Sequence, residues 1–239
     1  MIFSSTRQLN NKGVESLRSG QYDDAMELFQ RAIYSLKGLQ VQGAIYHQSL
    51  FFPSFLSQNE NSEFSDGEGS SREVEIDNSE DEAFFLVKRA FLVPDNLEPT
   101  PQTMAELCII VTHNGAITEH MRALKACRPA ERNTTLYHAI ELYEEVYRCC
   151  LLTLATFPMP RKLQSKDMFL LTMSILNNLG VIHYDLGQPQ RGAACFHQLL
   201  NVLEVFLHSD GKRAIGEKEY VGFFLNVIAS NAPVAANAA

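Results

Sequence analysis

The sequence predicts an all-α fold, about three antiparallel helix hairpins stacked as an α-solenoid, and three observations carry that expectation. A seven-position apolar stripe recurs three times, starting at Tyr22, Leu136 and Pro189. Two of the copies follow a segment with an inner and a closing glycine, Gly13 with Gly20 and Gly180 with Gly187. The chain is also 46% apolar over 239 residues, enough to bury a substantial core.

The first stripe runs Tyr22, Ala25, Met26, Phe29, Ala32, Ile33 and Leu36, at offsets 0, 3, 4, 7, 10, 11 and 14. These offsets trace one face of an α-helix. Upstream lies a second helical segment, Leu9 to Leu17, which Gly20 closes as a left-handed cap. Gly13 stands inside that segment, where glycine costs about 1 kcal/mol relative to alanine. A close approach of two helices would explain its presence there.

The middle copy reads Leu136, Ala139, Ile140, Tyr143, Val146, Tyr147 and Cys150, with Glu141, Glu144, Glu145 and Arg148 between. Its partner helix is expected over Cys108 to Lys125, and a long loop containing Pro129 would join the two. The third copy, Pro189, Gly192, Ala193, Phe196, Leu199, Leu200 and Leu203, follows Leu176 to Tyr184 and the cap Gly187. An aromatic residue holds offset 7 in every copy, which one shared packing geometry explains. Phe29, Tyr143 and Phe196 should therefore be buried. At the end of the chain Tyr220, Phe223, Phe224, Val227 and Ile228 recur at helical spacing, as suits a helix that caps the last hairpin. The last residues, 231–239, read as a flexible tail.

Asn11-Lys12-Gly13, Gly20, Tyr22, Ala25, Phe29 and Ala32 resemble the tetratricopeptide repeat, a unit of two antiparallel helices. Asn178-Leu179-Gly180, Gly187 and Phe196 match it again, and Asn114, Ala116, Ala139 and Tyr143 do so in the middle. The arrangement is similar to the divergent tetratricopeptide proteins abundant in diatom genomes. The resemblance implies one helical domain over 1–239 that binds a protein or peptide in a concave groove lined by the first helix of each hairpin. Carried onto this chain, the lining is Arg7, Asn10, Val14 and Arg18, then Ile110, His113, Ile117 and His120, then Ser174, Asn177, Val181, Tyr184 and Asp185. Such a mixture of apolar and hydrogen-bonding groups suits an extended or helical peptide. The family's carboxylate clamp needs Lys and Asn at fixed groove positions; the first copy has Asn10 and Val14 there, which argues against that role.

An insert, 41–94, interrupts the array. Its two apolar arms, Ala44 to Leu56 and Ala83 to Val93, have strand-like composition and read as a β-hairpin. Between them, residues 57–82 hold ten acidic residues and one basic residue. The net charge of −8 belongs to this segment, because the remaining nineteen basic and eighteen acidic residues nearly cancel. Its polar composition predicts disorder. Ser65-Asp66-Gly67-Glu68 and Ser79-Glu80-Asp81-Glu82 resemble phosphorylation sites of an acidophilic kinase, so Ser65 and Ser79 are candidate modification sites.

The sequence gives no ground for an enzyme. No phosphate-binding loop, nucleophile elbow or dinucleotide fingerprint is present, and no cofactor or small-molecule substrate is expected. His113 and His120 fall on one helix face, but nothing nearby completes a metal site, and they read as ordinary groove or surface residues. Cys108, Cys127, Cys149, Cys150 and Cys195 show no paired spacing; they read as free thiols, with Cys150 in the core. Nucleic-acid binding is the alternative function, through Arg122, Lys125, Arg128 and Arg132 with Arg161, Lys162 and Lys166, but a nearly neutral folded part disfavours it. No leader or 18-residue apolar run appears, so the expectation is a cytoplasmic or nuclear protein off the membrane.

Overall fold

The computed structural model describes residues 2–40, 84–95, 97–156, 164–208 and 217–231. The first arm of the insert, the acidic segment with Ser65 and Ser79, and residues 232–239 lie outside the described residues. Among the described residues there are seven helices: α1 (Ile2–Arg18), α2 (Tyr22–Gln40), α3 (Pro101–Lys125), α4 (Pro129–Thr156), α5 (Gln164–Asp185), α6 (Pro189–His208) and α7 (Glu217–Asn231). No β-strand element occurs among the described residues.

The chain divides into two compact units, with the boundary between Val87 and Lys88 inside the second arm of the insert. The first unit holds α1 to α4 and the residues from Lys88; α1 packs on α2, α2 on α3 and α3 on α4. The second unit holds Phe84 to Val87 and α5 to α7; α5 packs on α6 and α6 on α7.

Both closing glycines do what their positions require. Gly20 and Gly187 adopt φ of +73° and +68°. Gly20 N–H donates to the Leu17 carbonyl and Gln21 N–H to that of Ser16; Gly187 and Gln188 repeat the pattern on Tyr184 and His183. These paired bonds satisfy carbonyls that a helix end leaves open.

The inner glycines set the approach of the two helices. A Cβ on Gly13 would lie 2.6 Å from Phe29 Cε1, and one on Gly180 would lie 2.5 Å from Phe196 Cε1. Phe29 and Phe196, the offset-7 aromatics of α2 and α6, therefore pack onto bare backbone of α1 and α5. Phe29, Tyr143 and Phe196 are all fully buried, as are Ala25, Ala32, Ala116 and Ala139 around them.

The middle hairpin corrects the sequence reading. Its expected long loop is mostly helix, because α4 begins at Pro129, seven residues before Leu136. Proline at the first helical position loses no hydrogen bond and has its φ already set, so it starts this helix where the sequence reading placed it in a loop. At the start of α3, Thr100 and Thr103 cap each other: each side-chain oxygen accepts from the other residue's backbone N–H, at 3.1 and 2.8 Å.

Candidate functional site

Residues 84–93 carry strand-like residues, yet in this fold they run extended against the first helices of the hairpins and are held by asparagine side chains. Extended backbone presents an N–H and a C=O at every residue, and a carboxamide offers the complementary acceptor and donors.

In the second unit, Phe85 N–H donates to Asn226 Oδ1 at 2.8 Å, and the Phe85 carbonyl accepts from Asn226 Nδ2 at 2.7 Å and Asn177 Nδ2 at 2.9 Å. Two residues on, Val87 N–H donates to Asn178 Oδ1 at 3.0 Å, and Asn178 Nδ2 returns a bond to the Val87 carbonyl at 2.8 Å. The asparagines also tie to one another: Asn226 Nδ2 donates to Asn177 Oδ1 at 2.7 Å and Asn177 Nδ2 to Asn178 Oδ1 at 3.2 Å.

The first unit repeats this arrangement bond for bond. Phe91 N–H donates to Asn114 Oδ1 at 2.9 Å, and its carbonyl accepts from Asn114 at 2.9 Å and Asn10 at 3.1 Å. Val93 N–H donates to Asn11 Oδ1 at 2.9 Å, and Asn11 Nδ2 donates back to the Val93 carbonyl at 3.0 Å. Asn114 Nδ2 reaches Asn10 Oδ1 at 2.9 Å and Asn10 Nδ2 reaches Asn11 Oδ1 at 3.2 Å. In each unit the two amide hydrogens of the central asparagine are both used, so a buried polar set that would be costly half-filled is complete.

Side chains of the segment have their own seats. Phe84 lies 4.7 Å from the Tyr184 ring and 5.7 Å from that of Phe196. Phe85 meets Phe223 edge-on at 6.3 Å and fills the space beside Gly222, where a Cβ would be 2.2 Å from its ring. Phe91 lies 5.4 Å from His113, whose ring in turn packs 6.0 Å from Tyr143. Beyond Val93, the Arg7 guanidinium pairs with the Asp95 carboxylate at 3.2 Å and donates to the Asp95 carbonyl.

The groove residues expected from the sequence divide into three sets. Arg7, Asn10, His113, Asn177 and Tyr184 touch the segment. Val14, Ile117, His120, Ser174 and Val181 are buried, Ser174 donating within its helix to the Leu170 carbonyl, and Ile110 is half-buried. Arg18 and Asp185, each the last residue of its helix, are exposed. Sequence reasoning missed Asn11, Asn114, Asn178 and Asn226, of which the first three had been read only as repeat-motif residues. It also missed the doubled Phe-Leu-Val at 85–87 and 91–93, which could have pointed to a twice-used site.

His113 and His120 are not surface residues. Both are buried, and neither ring nitrogen of His120 has a hydrogen-bond partner. Burial pushes each down to about 3; a backbone contact from Arg89 partly opposes this at His113, and Lys88 and Arg132 add to it at His120. The thiols also differ from reactive cysteines: burial pushes Cys149 up to about 12, aided by Glu145, and raises Cys108. Among the basic residues, Arg122 is engaged by Asp23 at 3.0 Å and Glu119 at 2.9 Å. Among the described residues no group of three potential metal ligands comes together, and no helix is long and apolar enough to cross a membrane.

In the hairpin of α5 and α6, residues 172–204 match the family model of the tetratricopeptide repeat. This is a tetratricopeptide-like helical protein. Neither the curated proteins nor the solved structures offer a match to the chain. The matched stretch of this tetratricopeptide-like chain contains Asn177, Asn178, Gly180, Tyr184, Gly187 and Phe196, the residues that build the hairpin and half of its cradle. Tetratricopeptide repeats serve protein-protein interaction in general.

Proposed function

We propose that this protein is an interaction scaffold or adaptor that captures an extended segment of a partner protein by its main chain, in two grooves, one lined by α1 and α3 in the first unit and one by α5 and α7 in the second. The observation that carries the reading is the bidentate exchange of Asn178 with Val87 and of Asn11 with Val93. Recognition of this kind takes affinity from backbone amides and selectivity from pockets for side chains, as strand addition to a sheet edge does. Asn10, Asn177, His113, Tyr184 and Arg7 then act as lining residues, while Val14, Ile117, His120, Ser174 and Val181 support them from below. Arg18 and Ile110 stand at the margin of the proposed groove of the first unit, and Asp185 at that of the second. The role needs no catalytic group, metal or cofactor, and the partner is a protein rather than a nucleic acid.

An amide scan tests this without changing the protein. A peptide that binds the chain is resynthesised with single N-methyl groups, each of which removes one backbone donor. Affinity should fall at least tenfold at alternate residues and hold at those between. Equal tolerance at every position would overturn main-chain capture.

A further inference from the structure

The segment in the two cradles carries one tripeptide twice, Phe85-Leu86-Val87 and Phe91-Leu92-Val93. In both, the Phe carbonyl accepts from two asparagines and the Val exchanges a bond in each direction with a third. Packing alone would not require two separate units to grip the same three residues through the same atoms. A repeated ligand meeting a repeated site is a recognition code. We propose that residues 84–93 are a built-in ligand, an in-cis copy of the extended Phe-x-Val segment that the chain takes from its partner.

This rests on the interaction reading given above and adds the partner's chemistry. The first position takes an aromatic ring, because Phe85 sits in the gap left by Gly222 and Phe91 lies against His113. The third takes a β-branched residue fitted without slack, Val87 being 2% and Val93 0% exposed. The middle position is tolerant in the first unit, where Leu92 is only half-buried. The two cradles differ one residue upstream. Phe84 lies against Tyr184 and Phe196 in the second unit, whereas buried Ala90 holds the matching place in the first. The second unit thus selects aromatic-Phe-x-Val, and the first selects small-Phe-x-Val followed two residues later by an acid for Arg7.

A ligand carried on the same chain competes at an effective concentration on the order of millimolar. It therefore holds off a micromolar competitor by on the order of a thousandfold. The intact protein is closed to weak single-motif peptides and opens to a partner that offers both motifs or that follows loosening of the resident segment.

The test uses the full chain and a fluorescein-labelled synthetic peptide with the sequence of residues 84–95. Substituting Phe85→Asp with Phe91→Asp places a carboxylate in each aromatic seat and expels the resident segment. That variant should bind the peptide at least tenfold more tightly than the intact chain, and a peptide carrying the same two substitutions should not bind. Folded variant and intact chain binding alike would overturn the proposal. If the variant loses its helical signal, return of helicity on adding the peptide supports the proposal and no return overturns it. A complex of variant with intact chain would make the occupant a second copy and also overturn it. Binding that rises in the variant but survives the further changes Asn11→Ala and Asn178→Ala would leave the built-in ligand standing and instead defeat main-chain capture.

Discussion

The ring of Phe196 occupies the space that a side chain on Gly180 would need, its Cε1 lying 2.5 Å from an ideal Cβ there. At an open helical site, glycine to alanine stabilises by about 1 kcal/mol. Here the sign should reverse, because the buried ring has nowhere to go and overpacking costs about 1–3 kcal/mol. Gly180→Ala, and equally Gly13→Ala beneath Phe29, should lower the denaturation midpoint followed by circular dichroism. A raised midpoint would mean the helices are further apart than described.

Removing the ring is a separate experiment on the same contact. Phe196→Ala empties a fully buried aromatic site and should cost about 3–5 kcal/mol. Phe29→Ala should behave alike, since it holds the same offset in its own hairpin. Unchanged thermal stability in either variant would sink the repeat alignment.

Acid should weaken the first unit before ordinary carboxylate titration begins. His113 and His120 are held at about 3 in the fold, against about 6.5 when unfolded. Between these values the unfolded chain binds protons that the folded chain refuses. Their stabilising effect is present above about pH 6.5 and is lost as pH falls, by up to about 1.4 kcal/mol per pH unit for each ring. Glu119 and Glu145, raised by burial, act in the opposite sense, because the folded state holds their protons more tightly than the unfolded chain does. Replacing both histidines by Phe should flatten the stability profile between pH 6.5 and 5; an unaltered slope would show that the rings are already solvated.

The hairpins were legible because a buried helix face repeats, and Tyr22, Leu136 and Pro189 start the same stripe. Gly13 and Gly180 were legible for a related reason, since a glycine inside a helix demands a neighbour close to the backbone. The asparagines were not. Their backbone partners in the segment lie between 23 and 141 residues away, and such bonds leave no periodic trace in sequence. Asn10 and Asn177 entered through the resemblance to tetratricopeptide repeats, but what they hold did not. The second arm of the insert forms no strand element among its described residues, and the first arm lies outside them; Phe, Leu and Val favour extended backbone without stating whether a neighbouring strand or a row of carboxamides will satisfy it. His113 and His120 were read as groove or surface groups; within the first unit the Phe91 ring packs against His113 and helps to bury it.

Amide hydrogen exchange by NMR tests the central claim most directly, because it reads each backbone N–H of the segment by itself. Main-chain capture predicts slow exchange at Phe85, Val87, Phe91 and Val93. Asn178→Ala should accelerate Val87 at least tenfold while Phe91 and Val93, held by Asn114 and Asn11, stay slow. Exchange at all four amides as fast as in an unstructured peptide, or a Val87 rate indifferent to Asn178, would contradict the account.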